Sequence, residues 1–324
     1  MLRRGLAGMT LGALLLAGCA QGDPTTVGGK KDISVGAVTI VSHPSLDLLY
    51  EGVKASLADA GYVEGENLEM SLENPQGDQA TLASIANTFA ASDKDYFLAI
   101  ATPPAQALAQ VITDRPIVFA SVTDPVAAGL VDSMDAPGGN ITGTSDQLPT
   151  GEQLQVLTEI DPSVKTVGIV YSSAEVNAQV QAEAAVEAGK ALGIEVKTAT
   201  VTNSSEVQQA AESLDVDAYF VLVDNTVVSA MESMVQVAEQ HHRLLVASDA
   251  DSVERGAAAA LATDYEAQGR QTGDMLVRII EGADPAGMPV ELQETLELVI
   301  NPDAAEAMGV TIPDAVVKKA DKTV

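Results

Sequence analysis

Among its 324 residues the chain has one cysteine, three histidines, no tryptophan and only 3% aromatic residues. A lone thiol, Cys19, cannot form an internal disulfide, and it leaves no cysteine nucleophile in the patterned part of the chain. Two of the three histidines are adjacent, His241-His242, and no metal-ligand spacing appears, so no metal is expected. There is no G-x-S-x-G elbow and no Gly-rich phosphate loop, which argues against an enzyme and implies no cofactor. Basic residues are scarce as well: 17 Lys and Arg stand against 46 Asp and Glu, a formal net charge of −29. Phosphate binding needs the opposite sign, so nucleic acid is not an expected partner. The scarcity of rings excludes a rich aromatic cage around any ligand.

What is present begins with an export signal. Arg3 and Arg4 precede an apolar core, Leu6 to Ala17, that is shorter than the roughly 20 residues needed to span a bilayer. Its end, Leu16-Ala17-Gly18-Cys19, has the form of a bacterial lipobox, with 1–18 as signal peptide and Cys19 as the lipidated mature N-terminus. Residues 19–32, rich in Gly and Thr, read as a tether. The mature protein is therefore expected outside the cytoplasm, held to the membrane by its N-terminal lipid alone.

The remaining chain repeats one device. In FLAIATPPAQ, Phe97 to Gln106, an apolar run short enough for a doubly buried strand meets a polar elbow and then helix-forming residues. The device recurs at Ile117 to Val126, Val167 to Val176, Tyr219 to Val228 and Leu244 to Val253. Strands alternating with helices predict an α/β fold of two doubly wound parallel-sheet lobes. In such sheets ligands bind outside the carboxyl ends of the strands, where the elbows gather.

The elbow residues are Ser42-His43-Pro44, Thr102-Pro103, Ser121 to Asp124, Tyr171 to Ser173, Asp224 to Thr226, and Ser248-Asp249. Helix capping explains any single Ser, Thr or Asp among them. As a set they contain no Lys or Arg, which a phosphate or dicarboxylate would recruit. Hydroxyls and helix amides suit one carboxylate, and a carboxylate suits one ammonium, so the implied ligand is a zwitterion such as an L-amino acid. Thr102 and Ser121 are expected to hold its carboxylate, and Asp249 with Asp224 its ammonium. His43, Tyr171 and Tyr265 are expected to bound the side-chain pocket, with Phe119 a further ring in reach. Thr123, Asp124, Ser173, Asn225 and Ser248 complete the expected ligand-binding set.

These motifs together resemble the ABC-transporter substrate-binding lipoproteins of the tryptophan/tyrosine-binding type, which have the type I periplasmic-binding-protein fold. The resemblance is carried by His43-Pro44, Gly61-Tyr62, Gly65-Glu66-Asn67, Asn74 to Asp78 (NPQGD), Ala101 to Ala107 (ATPPAQA), Val122 to Gly129 (VTDPVAAG) and Pro137 to Gly143 (PGGNITG). It continues through Tyr171 to Glu175, Asp224-Asn225-Thr226, Ala247-Ser248-Asp249 and Asp264-Tyr265. It implies two lobes joined by a three-segment hinge, a membrane permease and an ATPase as partners, and a monomeric receptor that closes on a small ligand. Crossings near Thr144 to Pro149, Thr263-Asp264 and Pro285 to Pro289 divide the chain into 33–147 with 264–286, and 148–263 with 287–324. An aromatic or a branched apolar amino acid remains open as ligand. The competing reading is a sensor lipoprotein of the same fold that binds a nucleoside or a sugar.

Overall fold

The computed structural model describes residues 26–27, 30–293 and 296–324. The expected signal peptide, Cys19 and most of the expected tether lie outside the described residues. Thr26–Val27 and Lys30–Lys31 form a short antiparallel ladder, and Lys30 Nζ meets Glu281 at 2.9 Å, so the end of that tether docks on the body of the protein.

The first sheet is built from β1 (Ile33–Val38), β2 (Leu68–Glu73), β3 (Tyr96–Ile100), β4 (Ile117–Ala120) and β5 (Ile141–Ser145). Helices α1 (Pro44–Asp59), α2 (Gln79–Ala90) and α3 (Thr102–Val111) connect the earlier ones. The second half starts with α4 (Thr150–Ile160), β6 (Thr166–Ser172), α5 (Val176–Leu192), β7 (Glu195–Val201), α6 (Val207–Glu212) and β8 (Ala218–Phe220). It continues with α7 (Asn225–Val228), α8 (Met231–His241), β9 (Leu244–Ala247), α9 (Ala250–Glu254) and β10 (Ala259–Thr263). Then follow α10 (Tyr265–Ile280), β11 (Glu291–Leu292), β12 (Leu296–Ile300), α11 (Pro302–Ala307), α12 (Asp314–Val317) and β13 (Lys322–Thr323).

The strand order of the first sheet is β11-β5-β4-β3-β1-β2, parallel throughout. The second is β13-β12-β10-β9-β8-β6-β7, parallel except where β10 meets β12. Each sheet thus contains the same doubly wound order, with its switch point between β1 and β3 in one and between β6 and β8 in the other. At such points the connecting helices diverge to opposite faces and leave a crevice. The strands are apolar because both faces are covered: Phe97 to Ile100 and Ile117 to Ala120 are fully buried. Each sheet has its own core cluster.

Helix α10 returns to the first lobe and lies along α1. Small residues permit the close approach. A Cβ on Gly52 would meet Glu266 O at 2.6 Å, and one on Gly269 would overlap the Leu49 carbonyl. The lobes also touch where α3 approaches α5 and where α1 approaches α9. Among the described residues no helix is long and apolar enough to cross a membrane.

Three details depart from the sequence expectation. The third crossing is later than Pro285 to Pro289: Thr142 Oγ1 donates to Met288 O at 2.8 Å, and Glu291-Leu292 pair with Thr144-Ser145. Residues 287–292 therefore pack with the first lobe. The helix-forming stretch after the Asp224 to Thr226 elbow is not one helix but two, α7 and α8, interrupted at Ser229-Ala230. Where parallel-sheet lobes are expected, β12 runs antiparallel to β10.

Candidate functional site

Between the lobes, at both switch points, lies a cavity. The first lobe contributes His43, Leu46, Ala101, Thr102, Ser121, Thr123, Asp146 and Tyr265; the second contributes Asn177, Val223, Asp224, Asn225, Val228 and Asp249. Eight of the twelve expected ligand-binding residues are thus brought together: His43, Thr102, Ser121, Thr123, Asp224, Asn225, Asp249 and Tyr265.

The other four are not. Asp124 accepts from Ala127 N at 2.8 Å and closes a surface turn. Ser173 is exposed, with its hydroxyl on Val201 O at 3.2 Å. Ser248 is buried, but its hydroxyl donates to Val221 O at 2.8 Å. Tyr171 packs against the second-lobe core. Its position explains this, because a strand residue sends its side chain out of the sheet rather than along the strand toward the cleft. Phe119 is likewise fully buried in the first-lobe core. His43 and Tyr265 are left as the rings at the cavity.

Two elbows of the first lobe are strained. Ala101, with φ 78° and ψ 166°, holds a backbone conformation that L-residues rarely adopt, and Ser121 has φ 60°. Such conformations cost on the order of 1–3 kcal/mol each and persist only where the surroundings enforce them. Here they turn the chain sharply at the strand ends, so that Thr102 and Thr123 reach the cavity. The Thr102 hydroxyl is buried with no partner among the described residues. Pro103 and Pro104 carry no N–H, so this helix start offers fewer amides than an ordinary one.

Sequence reading missed Asp146 and Asn177. Asp146 lies in the first crossing, just beyond β5, and is 2% exposed. It accepts from Ser121 Oγ at 2.6 Å and from Thr123 Oγ1 at 2.8 Å. The Ser121 hydroxyl, expected to hold a ligand carboxylate together with Thr102, is thus already engaged, as is that of Thr123. The signal for Asp146 was an acidic residue ending a small polar strand, at the place where the chain leaves the lobe. Asn177 lies in the first turn of α5, where its neighbours read only as helix. Its Nδ2 donates to Val223 O at 2.9 Å, and its buried Oδ1 has no partner among the described residues.

Asp224 and Asp249 each cap a short helix and border the cavity as well. Asp224 accepts from Val227 N at 3.0 Å and from Ser172 N at 2.6 Å. Asp249 accepts from Ser252 N at 2.8 Å and Ser252 Oγ at 2.7 Å, and the Ser45 hydroxyl of the first lobe also approaches it.

Burial raises the pKa of Asp146 and of Asp249. For Asp224, burial and then the neighbouring Glu175 charge push it up to about 8. Burial also holds the Tyr265 hydroxyl well above its ordinary range and lowers His43 to about 4. Three acidic side chains therefore line a cavity to which neither Lys nor Arg contributes. Removed from water, such groups keep their charge only against a cation. Among the described residues no group of His, Cys, Asp and Glu is placed to hold a metal ion.

The sequence matches the family model "ABC transporter substrate binding protein" over residues 34–324. It is 36% identical to a tyrosine-binding protein of Clostridioides difficile over 307 residues, covering 92% of this chain and 89% of the relative. A structure from Streptococcus pneumoniae, in complex with L-Trp, is 35% identical and superposes with a TM-score of 0.88, over 91% of this chain and 100% of that one. A ligand-free, open substrate-binding protein with adhesive properties from Clostridium difficile is also 35% identical, with 90% and 99% covered, but its TM-score is 0.69. Solved structures of more distant binding proteins, such as a leucine-binding protein from Thermotoga maritima at 14% identity and a TM-score of 0.59, share the fold alone. With the two doubly wound lobes and the cleft between them, these matches show that the chain belongs to the ABC transporter substrate-binding protein family and has the type I periplasmic-binding-protein fold.

Proposed function

We propose that this protein is the extracytoplasmic solute receptor of an ABC importer and that it closes on an L-amino acid with an aromatic side chain. The observation that carries the ligand class is the lining of the cleft. Asp146, Asp224 and Asp249 border it, no Lys or Arg does, and a buried hydroxyl, Thr102 Oγ1, awaits a partner. An ammonium beside Asp224 and Asp249 supplies the missing cation, and the ligand carboxylate lies toward Thr102 and His43. Leu46, Val223, Val228 and Tyr265 form the apolar border for its side chain. The tyrosine-binding relative and the tryptophan complex support an aromatic ligand.

The structure superposes better on the L-Trp complex than on the open, ligand-free relative of equal identity. This supports a closed arrangement here and an open one without ligand, since a ligand that touches both lobes favours the closed state. A permease and an ATPase are the partners that such a receptor serves. The receptor is read as a monomer that works without a cofactor, and its ligand should be released chemically unchanged.

Calorimetry with the twenty amino acids tests the reading. L-Tyr or L-Trp should bind, small-angle scattering should show a smaller radius of gyration on saturation, and the ligand should be recovered intact. Binding of a nucleoside or sugar, but of no amino acid, would favour the sensor alternative. Anchoring by lipid at Cys19 is proposed from the lipobox sequence. Cys19→Ala should move the expressed protein from the membrane to the soluble fraction, or trap its precursor. A processed variant still retained on the membrane would contradict lipidation.

A further inference from the structure

Glu175 lies just before α5, 3% exposed, and does not border the cavity. Its carboxylate faces donors from the α7 end of the second lobe. Oε1 accepts from Thr226 N at 3.0 Å and Thr226 Oγ1 at 2.7 Å. Oε2 accepts from Asn225 Nδ2 at 2.6 Å. A side-chain amide has one donor end and one acceptor end, and its neighbours decide which end points where. Because Glu175 takes the NH₂ end of Asn225, the Oδ1 end is left for the cavity that Asn225 borders. Asn177 is turned the same way: its Nδ2 donates to the Val223 carbonyl at 2.9 Å and reaches Glu175 Oε2 at 3.5 Å, and its buried Oδ1 has no partner among the described residues.

We infer that Glu175 is a positioning residue for ligand recognition: by holding the Asn225 amide it presents Asn225 Oδ1 beside Asn177 Oδ1, Asp224 and Asp249, a wall of acceptors that selects for a ligand ammonium. This rests on the reading of the cleft as an amino-acid site and adds a determinant outside the contact shell. The chemistry gives it a sharp consequence. A glutamine at this position has one acceptor and one donor end. Two backbone donors face the carboxylate, Thr226 N–H at 3.0 Å and Asn225 N–H at 3.4 Å; the glutamine oxygen serves the closer one, Thr226, and the glutamine NH₂ then faces Asn225. Asn225 relieves that donor–donor clash by rotating, which aims its own NH₂ at the ligand ammonium.

The test uses the full chain, with L-Tyr and L-Trp compared with 3-(4-hydroxyphenyl)propanoate and 3-indolepropanoate, the same molecules without the ammonium. E175Q should weaken the amino acids at least about tenfold and change the deaminated acids by no more than about twofold. The double variant E175Q/N225D, which restores an acceptor to both neighbours, should recover most of the amino-acid affinity. Equal loss for both ligand types, or no loss, overturns the inference. If E175Q does not fold, N225A replaces it, with the same selective loss expected and the same outcomes counting against it. If the parent protein binds neither amino acid, the amino-acid reading has failed on its own. The positioning role is then decided by the side-chain amide resonances of Asn225 in the ligand-free, ¹⁵N-Asn-labelled chain: a shift in E175Q supports it, and constancy overturns it.

Discussion

Asp249 has two duties that a single substitution can separate. It caps α9 through Ser252 N and faces the cavity from the second lobe. Asp249→Ala would remove both, so the informative change is Asp249→Asn, whose oxygen still accepts from Ser252 N–H. A hydrogen bond to a charged group is worth about 1.5–3 kcal/mol, roughly ten- to a hundredfold in affinity. Asp249→Asn should therefore weaken L-amino-acid binding at least about tenfold with little change in melting temperature. Unaltered affinity would place the ammonium elsewhere, at Asp146 or against Asn177. At this scale the sequence was informative about residue types at the strand ends and poor about direction. Asp224, Asp249 and Thr102 stand at elbows and face the cavity. Tyr171 and Ser248 stand at elbows too, yet their side chains follow the sheet face or the interior.

Among the elements, α1 and α10 show how closely the first lobe is assembled. Gly52, Gly269 and Gly273 let two helix backbones meet, and a Cβ on Gly273 would come within 2.6 Å of the Ser56 Cβ. Helix propensity alone favours alanine over glycine by about 1 kcal/mol. Here contact with a carbonyl that cannot move aside outweighs it, because overpacking costs typically 1–3 kcal/mol. Gly269→Ala should lower the melting temperature, whereas Gly151→Ala, where the nearest atom is 3.9 Å away, should not. Stabilisation by Gly269→Ala would show that the helices can part without penalty. The same contact places Tyr265, at the start of α10, against the cavity, so a looser crossing should also weaken ligand binding.

For the whole molecule the acidic excess and the buried carboxylates act in one direction. Asp146, Asp224 and Asp249 have folded-state pKa values raised above the roughly 3.9 of an unfolded aspartate. Stability from a raised group is fully present below its unfolded pKa and is lost as pH rises through its folded value, up to about 8 for Asp224. His43 has the opposite sign. Its folded value near 4 lies below the ordinary 6.5, so its contribution is present above 6.5 and lost as pH falls toward 4. As pH falls from about 8, Asp224 takes up its proton, which also relieves the self-repulsion of a chain with net charge −29. The melting temperature of the ligand-free protein should therefore rise from about pH 8 to pH 6.5 and flatten below, where His43 opposes the trend. A fall over the first interval would contradict the raised values. Ligand should reduce the slope, because an ammonium stabilises the ionised forms.

The two-lobed α/β plan was legible in the residue pattern, since strands covered on both faces must be apolar throughout and each polar elbow must lie at a strand end. The residues it places at the strand ends include no Lys or Arg and few rings, and the cavity that eight of them border has the same make-up. Folding settled which elbows share one cavity. That depends on switch points created by strand order, which local pattern does not encode. It alone placed Asp146 against Ser121 and Thr123, pairs separated by more than twenty residues. It carried the first lobe on to Leu292, because a two-residue strand is too short to show a period and exists through its pairing with Thr144-Ser145. And it turned the amides of Asn177 and Asn225, whose direction is set by the acceptors that folding brings beside them.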